Sequence, residues 1–231
     1  MSRSLAVASA CLALLLTACG GSDKPKATAT PNPESTASAG AQLDGNRCRP
    51  AENPGKQARD KLDKPSEKLD ATRTYVATVK TNCGTFEITL DAKRAPLTGG
   101  SFKYLADHRF YDDTLIHRIV PQFVFQGGDP EGTGQGGPGY TVVEAPPKDL
   151  KYDKYVVAMA KTGADPKGAS GSQFFVVTGD GAASLTPDYA LVGEVTEGME
   201  VVDKIGAIQA DPNSGMPAAQ VIIKSVTVEE T

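Results

Sequence analysis

The chain has 231 residues, of which 39% are apolar, and its formal net charge is −4. Because it contains no cluster of lysine and arginine with interleaved aromatic residues, the composition excludes an electrostatic nucleic-acid binder. Apolar residues are distributed unevenly, which favours one domain with appendages over one large domain.

The N-terminus carries Arg3 followed by an apolar run over residues 5–18. This run is shorter than the roughly 20 residues that span a bilayer, so we interpret residues 1–18 as an export signal. Its end, Leu16-Thr17-Ala18-Cys19-Gly20, resembles the lipobox of bacterial lipoproteins. The resemblance implies cleavage before Cys19 and acylation of its thiol. The alternative is an ordinary signal with a chance cysteine.

Two segments without the composition of a folded core come next. Residues 19–41 are alanine, serine, threonine, proline, glycine and a few charges, which predicts a flexible tether with a coil dimension of roughly 25 Å. Residues 42–72 are strongly charged and contain Pro50, Pro54 and Pro65. We expect them to form an extension clamped by Cys48, with weak helical character over residues 55–62.

The cysteines indicate an oxidising compartment. Cys11 would leave with the signal and Cys19 would carry lipid, so Cys48 and Cys83 remain as thiols. In an exported protein such a pair suggests a disulfide, which would stabilise the fold by roughly 4 kcal/mol in the chain-entropy model. Two unpaired thiols are the alternative.

The ordered domain is predicted over residues 73–231 and opens with a β-hairpin. Residues 75–79 and 85–90 alternate between apolar and polar side chains, with Asn82-Cys83-Gly84 as the turn. Over residues 97–109, Phe102, Leu105 and Ala106 have helical spacing, which predicts a helix that begins near a Ser101 cap.

The densest stretch follows, over residues 110–139. Residues 115–119 and 123–126 read as two strands broken by Pro121. Arg118 and Gln126 are the polar residues in this apolar run, and a buried polar group must be hydrogen-bonded or functional. The alternative is a core strand whose arginine ties down a loop.

Short strands then recur to the end of the chain. They are predicted over residues 140–144, 156–160, 172–178, 189–195 and 221–228, with a second short helix over residues 197–205. Many short strands without alternating helices suggest a closed antiparallel barrel.

Several common site motifs are absent from the sequence. The spacing Gly134-x-Gly136-x-x-Gly139 contains Pro138 and precedes no helix, so it is no dinucleotide fingerprint. Two histidines, His108 and His117, are too few for a zinc site, and no nucleophile elbow accompanies them. We expect no metal or cofactor, and His117 reads as a structural residue.

The segment 110–141 resembles the cyclophilin signature, and further pieces agree in order and spacing. These pieces are Val157-Ala158-Met159-Ala160, Gly171-Ser172-Gln173-Phe174-Phe175, the run over residues 189–195 and the run over residues 197–203. Cyclophilins are peptidyl-prolyl cis-trans isomerases. The resemblance implies a mainly β fold, a closed eight-stranded antiparallel barrel capped by two α-helices.

The resemblance also implies a set of site residues. Arg118 is similar to the family's catalytic arginine. The walls of the family's proline pocket are similar to Phe123, Phe175 and Leu185. The groups that hold the substrate chain are similar to Gln126 and the Ala160 backbone. The catalytic set is thus Arg118, Phe123 and Gln126, and the substrate-binding set is Ala160, Gln173, Phe175, Leu185 and Tyr189. Three positions depart from the family pattern, namely Tyr189 in place of histidine, Ser184 in place of tryptophan and Lys161 in place of asparagine.

The function implied is isomerisation of Xaa-Pro bonds in exported proteins, without a cofactor, by a lipid-anchored monomer on the extracytoplasmic face of a membrane. Its partners would be proline-containing polypeptides and, through the lipid on Cys19, a membrane. Two alternatives remain open. One is a module that binds Pro-containing segments without turnover in a cell-envelope complex, and the other is a surface lipoprotein whose barrel is a spacer.

Overall fold

The computed structural model describes residues 48–231. The predicted signal over residues 1–18, the lipidation site Cys19 and the predicted tether over residues 19–41 therefore lie outside the described residues. None of the helices in residues 48–231 combines the length and hydropathy that a bilayer crossing requires.

Eight antiparallel strands form a closed barrel. The barrel strands are β1 (Tyr75–Thr81), β2 (Gly84–Leu90), β3 (Thr114–Val120), β4 (Val124–Asp129), β6 (Val156–Met159), β8 (Phe174–Val177), β9 (Leu191–Glu197) and β10 (Ile222–Glu230). Their order around the barrel is β1-β10-β3-β4-β8-β6-β9-β2. The strands β5 (Val142–Val143) and β7 (Ala169–Ser170) form a separate pair. The helices are α1 (Pro96–Asp107), α2 (Met199–Gly206) and a short 3₁₀ turn (Asp180–Ala182). The predicted fold class is confirmed.

The first hairpin forms because its apolar residues alternate and its turn is short. Val79 pairs with Phe86 and Thr81 pairs with Gly84, which leaves Asn82 and Cys83 as the turn. The strand predicted over residues 140–144 is wrong in extent, because only β5 forms there and it lies outside the barrel. Its partner β7 carries no strand signal of its own.

Helix α1 begins earlier than predicted, and Ser101 is not its cap. Pro96 lies in the first turn, where its missing N–H is no loss. The carboxylate of Glu144 accepts hydrogen bonds from the backbone N–H groups of Leu97 (3.1 Å) and Thr98 (2.7 Å). A carboxylate at this end of a helix also suits the helix dipole. Ser101 is buried inside the helix, and its hydroxyl lies 3.0 Å from that of Tyr140.

Both helices pack into the barrel core. Phe102 of α1 is fully buried and lies against Tyr111 and Phe174, with ring centroids 5.0 and 5.6 Å away. Val202 and Ile205 of α2 are buried in the same cluster. The helical spacing of Phe102, Leu105 and Ala106 in the sequence therefore identifies the buried face of α1.

The segment before the barrel, residues 48–72, is an extended strap and not a helix. Its backbone N–H groups bond to barrel loops: Gln57 to Pro130 O (2.7 Å), Leu62 to Pro138 O (2.9 Å) and Leu69 to Pro96 O (3.0 Å). The helical character predicted over residues 55–62 is thus wrong, since these donors have partners across the chain. Leu69 is buried and fixes the end of the strap in the core.

A disulfide joins Cys48 to Cys83, with the two Cα atoms 4.0 Å apart. It attaches the start of the strap to the turn between β1 and β2. Because the strap is bonded at Cys48 and buried at Leu69, both of its ends are fixed on the barrel.

Removing this bond should destabilise the fold. Replacing both cysteines, Cys48→Ala with Cys83→Ala, opens a loop spanning 35 positions, and we expect the free energy of unfolding to fall by about 2–4 kcal/mol. Urea unfolding of the oxidised protein and the double variant measures the difference. A reductant should shift the first curve and leave the second unchanged. Coincident curves for the oxidised protein and the double variant would contradict the prediction.

Candidate active site

Three neighbouring strands place the central site residues in one row. Arg118 on β3 pairs with Gln126 on β4, and Gln126 pairs with Phe175 on β8. Directly paired residues of antiparallel strands point to the same face of a sheet. The barrel therefore presents a cation, an amide and an aromatic ring side by side.

This row borders a cavity of about 180 Å³. Its lining residues are Arg118, Phe123, Val124, Gln126, Ala160, Lys161, Phe175, Leu185 and Tyr189. Seven of the eight residues assigned to the site from the sequence are in this lining, and Gln173 lines the adjoining groove instead. Since one water occupies roughly 30 Å³ in the liquid, the cavity has room for a five-membered ring.

The aromatic wall is held from behind by Tyr152, which sequence reasoning missed. The rings of Phe175 and Tyr189 meet edge to face, with centroids 5.4 Å apart. The buried Tyr152 hydroxyl donates to Tyr189 O (2.8 Å) and accepts from Tyr189 N–H (2.9 Å). Burial raises the pKa of Tyr152, which keeps this donor protonated. The backbone of Tyr189, and with it the position of its ring, is thereby fixed.

Lys161 connects two loops at the mouth of the cavity. Its side chain is only 7% exposed, and Nζ lies 2.7 Å from Oδ2 of Asp188. The same ammonium lies 5.6 Å from the centroid of the Tyr189 ring. The hydrogen bond to Asp188 raises the pKa of Lys161, which favours its charged form. The sequence identifies Lys161 as a departure from the family's asparagine, but it does not reveal that Asp188, 27 positions later, is the partner of this lysine.

Gln126 and Gln173 form a short amide chain along the edge of the cavity. Nε2 of Gln126 donates to Oε1 of Gln173 (2.9 Å), and Nε2 of Gln173 donates to Gly136 O (2.9 Å). These two bonds determine which way the Gln126 amide faces. Gln173 thus acts on the cavity through Gln126.

Arg118 borders the cavity with a charge that is not neutralised locally. Within residues 48–231, no carboxylate lies within ion-pair distance of its guanidinium. Its stem lies against Gly215, where an added Cβ would be 2.8 Å from Arg118 Cγ, and this glycine has a φ of +74°. Only glycine satisfies both the backbone conformation and the close approach. The loop carrying Gly215 therefore supports the arginine from one side.

Behind the site, Asp129 organises the glycine-rich loop that follows β4. Its buried carboxylate accepts hydrogen bonds from the backbone N–H groups of Glu131 (2.7 Å) and Thr133 (2.9 Å). Burial raises the pKa of Asp129, but the backbone N–H donors of Glu131, Gly136 and Gly134 outweigh burial and the net pKa is lowered. Burial lowers the pKa of the neighbouring His117, which keeps its imidazole neutral.

In the described part of the chain, no cluster of three or more histidine, cysteine or acidic side chains could hold a metal ion.

The depressed pKa of Asp129 predicts a pH dependence of stability. A carboxyl with a lowered folded-state pKa contributes stability above its unfolded value of about 3.9, and loses it as pH falls through the folded value. Near pH 7, the free energy of unfolding of the native protein should exceed that of Asp129→Asn by about 1.5–3 kcal/mol. This gap between the two proteins should shrink below about pH 4. Urea unfolding of both proteins between pH 3 and 7 tests this. A gap that stays constant over that range would contradict it.

Comparisons with known proteins agree with this architecture. A model of the family described as cyclophilin type peptidyl-prolyl cis-trans isomerase/CLD matches residues 76–228. The chain is 39% identical over 171 residues to peptidyl-prolyl cis-trans isomerase B of Streptomyces anulatus, covering 66% of this chain and 95% of that protein. It is 36% identical over 173 residues to peptidyl-prolyl cis-trans isomerase A of Mycobacterium tuberculosis, covering 67% and 92% of the two chains.

A solved structure gives the same result for the fold. The crystal structure of a cyclophilin type peptidyl-prolyl cis-trans isomerase from Cryptosporidium parvum, in the presence of the dipeptide ala-pro, matches with a TM-score of 0.60 and 28% identity. The match covers 67% of this chain and 98% of that one. Family model, relatives and fold agree, and the chain belongs to the cyclophilin-type peptidyl-prolyl cis-trans isomerases.

Proposed function

We propose that this protein isomerises Xaa-Pro bonds of exported polypeptides by non-covalent catalysis, with Arg118 as the donor and the adjoining cavity as the proline pocket. The observation that carries the proposal is a guanidinium without a carboxylate partner in the described residues, at the border of a cavity of about 180 Å³. Phe123, Phe175 and Leu185 line that cavity.

The chemistry of the bond explains why these residues suffice. Rotation about a peptide bond has a barrier of about 18–20 kcal/mol, because planarity preserves resonance between nitrogen and carbonyl. Cis and trans forms of an Xaa-Pro bond differ by only about 0.5–1 kcal/mol, so both are substrates. A twisted bond loses its charge separation and leaves a lone pair on the nitrogen. An apolar pocket with a donor aimed at that nitrogen therefore stabilises the transition state more than the planar substrate.

Such a reaction moves no proton and forms no covalent intermediate, so it needs neither a general base nor a nucleophile. One charge-assisted hydrogen bond, at roughly 1.5–3 kcal/mol, accounts for about a ten- to hundred-fold acceleration. The rest must come from exclusion of water and from anchoring of the chain. Gln126, whose amide is oriented by Gln173, and Ala160 line the cavity, which supports the proposal that they anchor the chain.

An isomerisation assay of the full chain tests the proposal. We expect turnover of short Xaa-Pro peptides, measured by protease-coupled absorbance or by NMR exchange between cis and trans signals. Peptide binding without turnover would support the binding module, and neither binding nor turnover would support the spacer. Slower refolding of an exported, proline-limited protein in the absence of the enzyme would support a folding role.

We also propose that residues 1–18 are removed and that residues 19–41 tether the domain to the extracytoplasmic face of a membrane through lipid on Cys19. The lipobox-like sequence supports this, as does the Cys48–Cys83 disulfide, since disulfides persist in oxidising compartments. Mass spectrometry of the protein isolated from its own membranes should detect an acylated N-terminal Cys19. An unmodified Cys19 or an intact signal would refute the anchor.

A further inference from the structure

A second, larger opening continues from the proline cavity. This groove has a volume of about 670 Å³ and shares Gln126, Ala160 and Lys161 with the cavity. A polypeptide whose proline occupies the cavity can therefore run into the groove. Because an extended chain advances about 3.3–3.6 Å per residue, the groove receives residues only a few positions from the proline.

One wall of the groove is supplied by the strap, at Lys61. The backbone N–H of the next residue, Leu62, donates to Pro138 O at 2.9 Å, which fixes the strap at this point. The stem of Lys61 lies on Gly139: a Cβ added there would be 2.9 Å from both Cβ and Cγ of Lys61. Gly139 also has a φ of +90°, so glycine is needed for both reasons. The lysine stem is thus held in place while its residue remains exposed at the groove.

The other charged groups that line the groove already have partners. Glu131 lies 2.9 Å from Lys56 Nζ, Lys161 lies 2.7 Å from Asp188, and Asp165 accepts from the N–H and hydroxyl of Thr162 (2.8 and 2.7 Å). Within the described part of the chain, Lys61 is in no ion pair. Its ammonium is therefore the positive charge at this groove that has no carboxylate partner within the described residues and remains available to a bound peptide.

We propose that Lys61 is a specificity-determining residue that recognises an acidic side chain two or three residues away from the proline of the bound polypeptide. The proposal rests on the proposed function, because the groove receives substrate only when the cavity holds its proline. The matching family model begins at residue 76, so Lys61 lies outside the part of the chain it matches. The strap then contributes to substrate selection as well as to stability.

Turnover of matched peptides by the full chain tests this inference. Each peptide pair carries glutamate or glutamine at one position, two or three residues before or after proline. We expect kcat/KM to favour glutamate by about two- to five-fold at one of these positions at low salt, the range for an exposed ion pair, and the preference to fade at high salt.

Variants of the strap assign the preference to one residue. Lys61→Ala should abolish the preference and Lys61→Glu should reverse it. Lys64→Ala, an exposed lysine on the same strap outside the groove lining, should keep it. A glutamate preference that survives Lys61→Ala, or no preference at any position, would overturn the inference. Turnover of the glutamine peptides reports separately on the proposed function, and its absence in the native protein would refute that function instead.

Discussion

Replacing Arg118 by alanine should lower kcat/KM on a neutral Xaa-Pro peptide by about ten- to a hundred-fold, and peptide binding should remain measurable. The magnitude is that of one charge-assisted hydrogen bond made in the transition state. Binding should survive because the apolar walls at Phe123, Phe175 and Leu185 are untouched. Turnover by NMR exchange, with Kd from calorimetry on the same peptide, separates the two effects.

Two further variants show whether the effect is specific to the donor. Arg118→Lys keeps a charge but loses the planar fork, so its turnover should lie between those of the native protein and Arg118→Ala. Phe123→Ala removes part of the pocket wall and should weaken both binding and turnover. Unchanged turnover in Arg118→Ala would rule out Arg118 as the donor.

Replacing Phe102 by alanine should lower the free energy of unfolding by about 3–5 kcal/mol, the range for a large aromatic residue removed from a core. Phe102 is fully buried, and its ring packs against Tyr111 at 5.0 Å and Phe174 at 5.6 Å between centroids. Those two rings also meet edge to face at 5.7 Å. The variant therefore opens a cavity beside the two remaining aromatic rings, and urea unfolding measures its cost.

A matched surface change makes this prediction specific to burial. Met216 is 66% exposed, so Met216→Ala should alter the free energy of unfolding by less than about 0.5 kcal/mol. Phe102→Leu should have an intermediate effect, because it restores part of the lost volume. Equal stability of Phe102→Ala and Met216→Ala would show that α1 contributes little to the core.

The sequence predicts those features whose signals are local. The first hairpin follows from alternation and a short turn, and the β3–β4 hairpin from apolar runs separated at Pro121. Arg118 and Gln126 could be singled out because polar side chains are conspicuous in an apolar strand. Their pairing across β3 and β4 then places both at one cavity.

The features that could not be predicted depend on partners far apart in the chain. Ser101 has the chemistry of a helix cap, but the carboxylate that caps α1 is Glu144, 47 positions after Leu97. Tyr152 supports Tyr189 from 37 positions away, and Lys161 pairs with Asp188 only because two loops meet at the cavity. The strap reads as polar and proline-rich, and no local signal shows that its N–H groups bond to barrel loops.

The Cys48–Cys83 bond also determines how the domain responds to mechanical tension. Tension that is applied through the backbone at Cys48 passes through the two sulfur atoms directly to Cys83. The residues between them, which include the strap and all of β1, lie inside the covalent loop, so the covalent path of the force bypasses them. Lys61, which lines the groove beside the cavity, is among them, so the covalent path of the force does not run through it while the bond is intact.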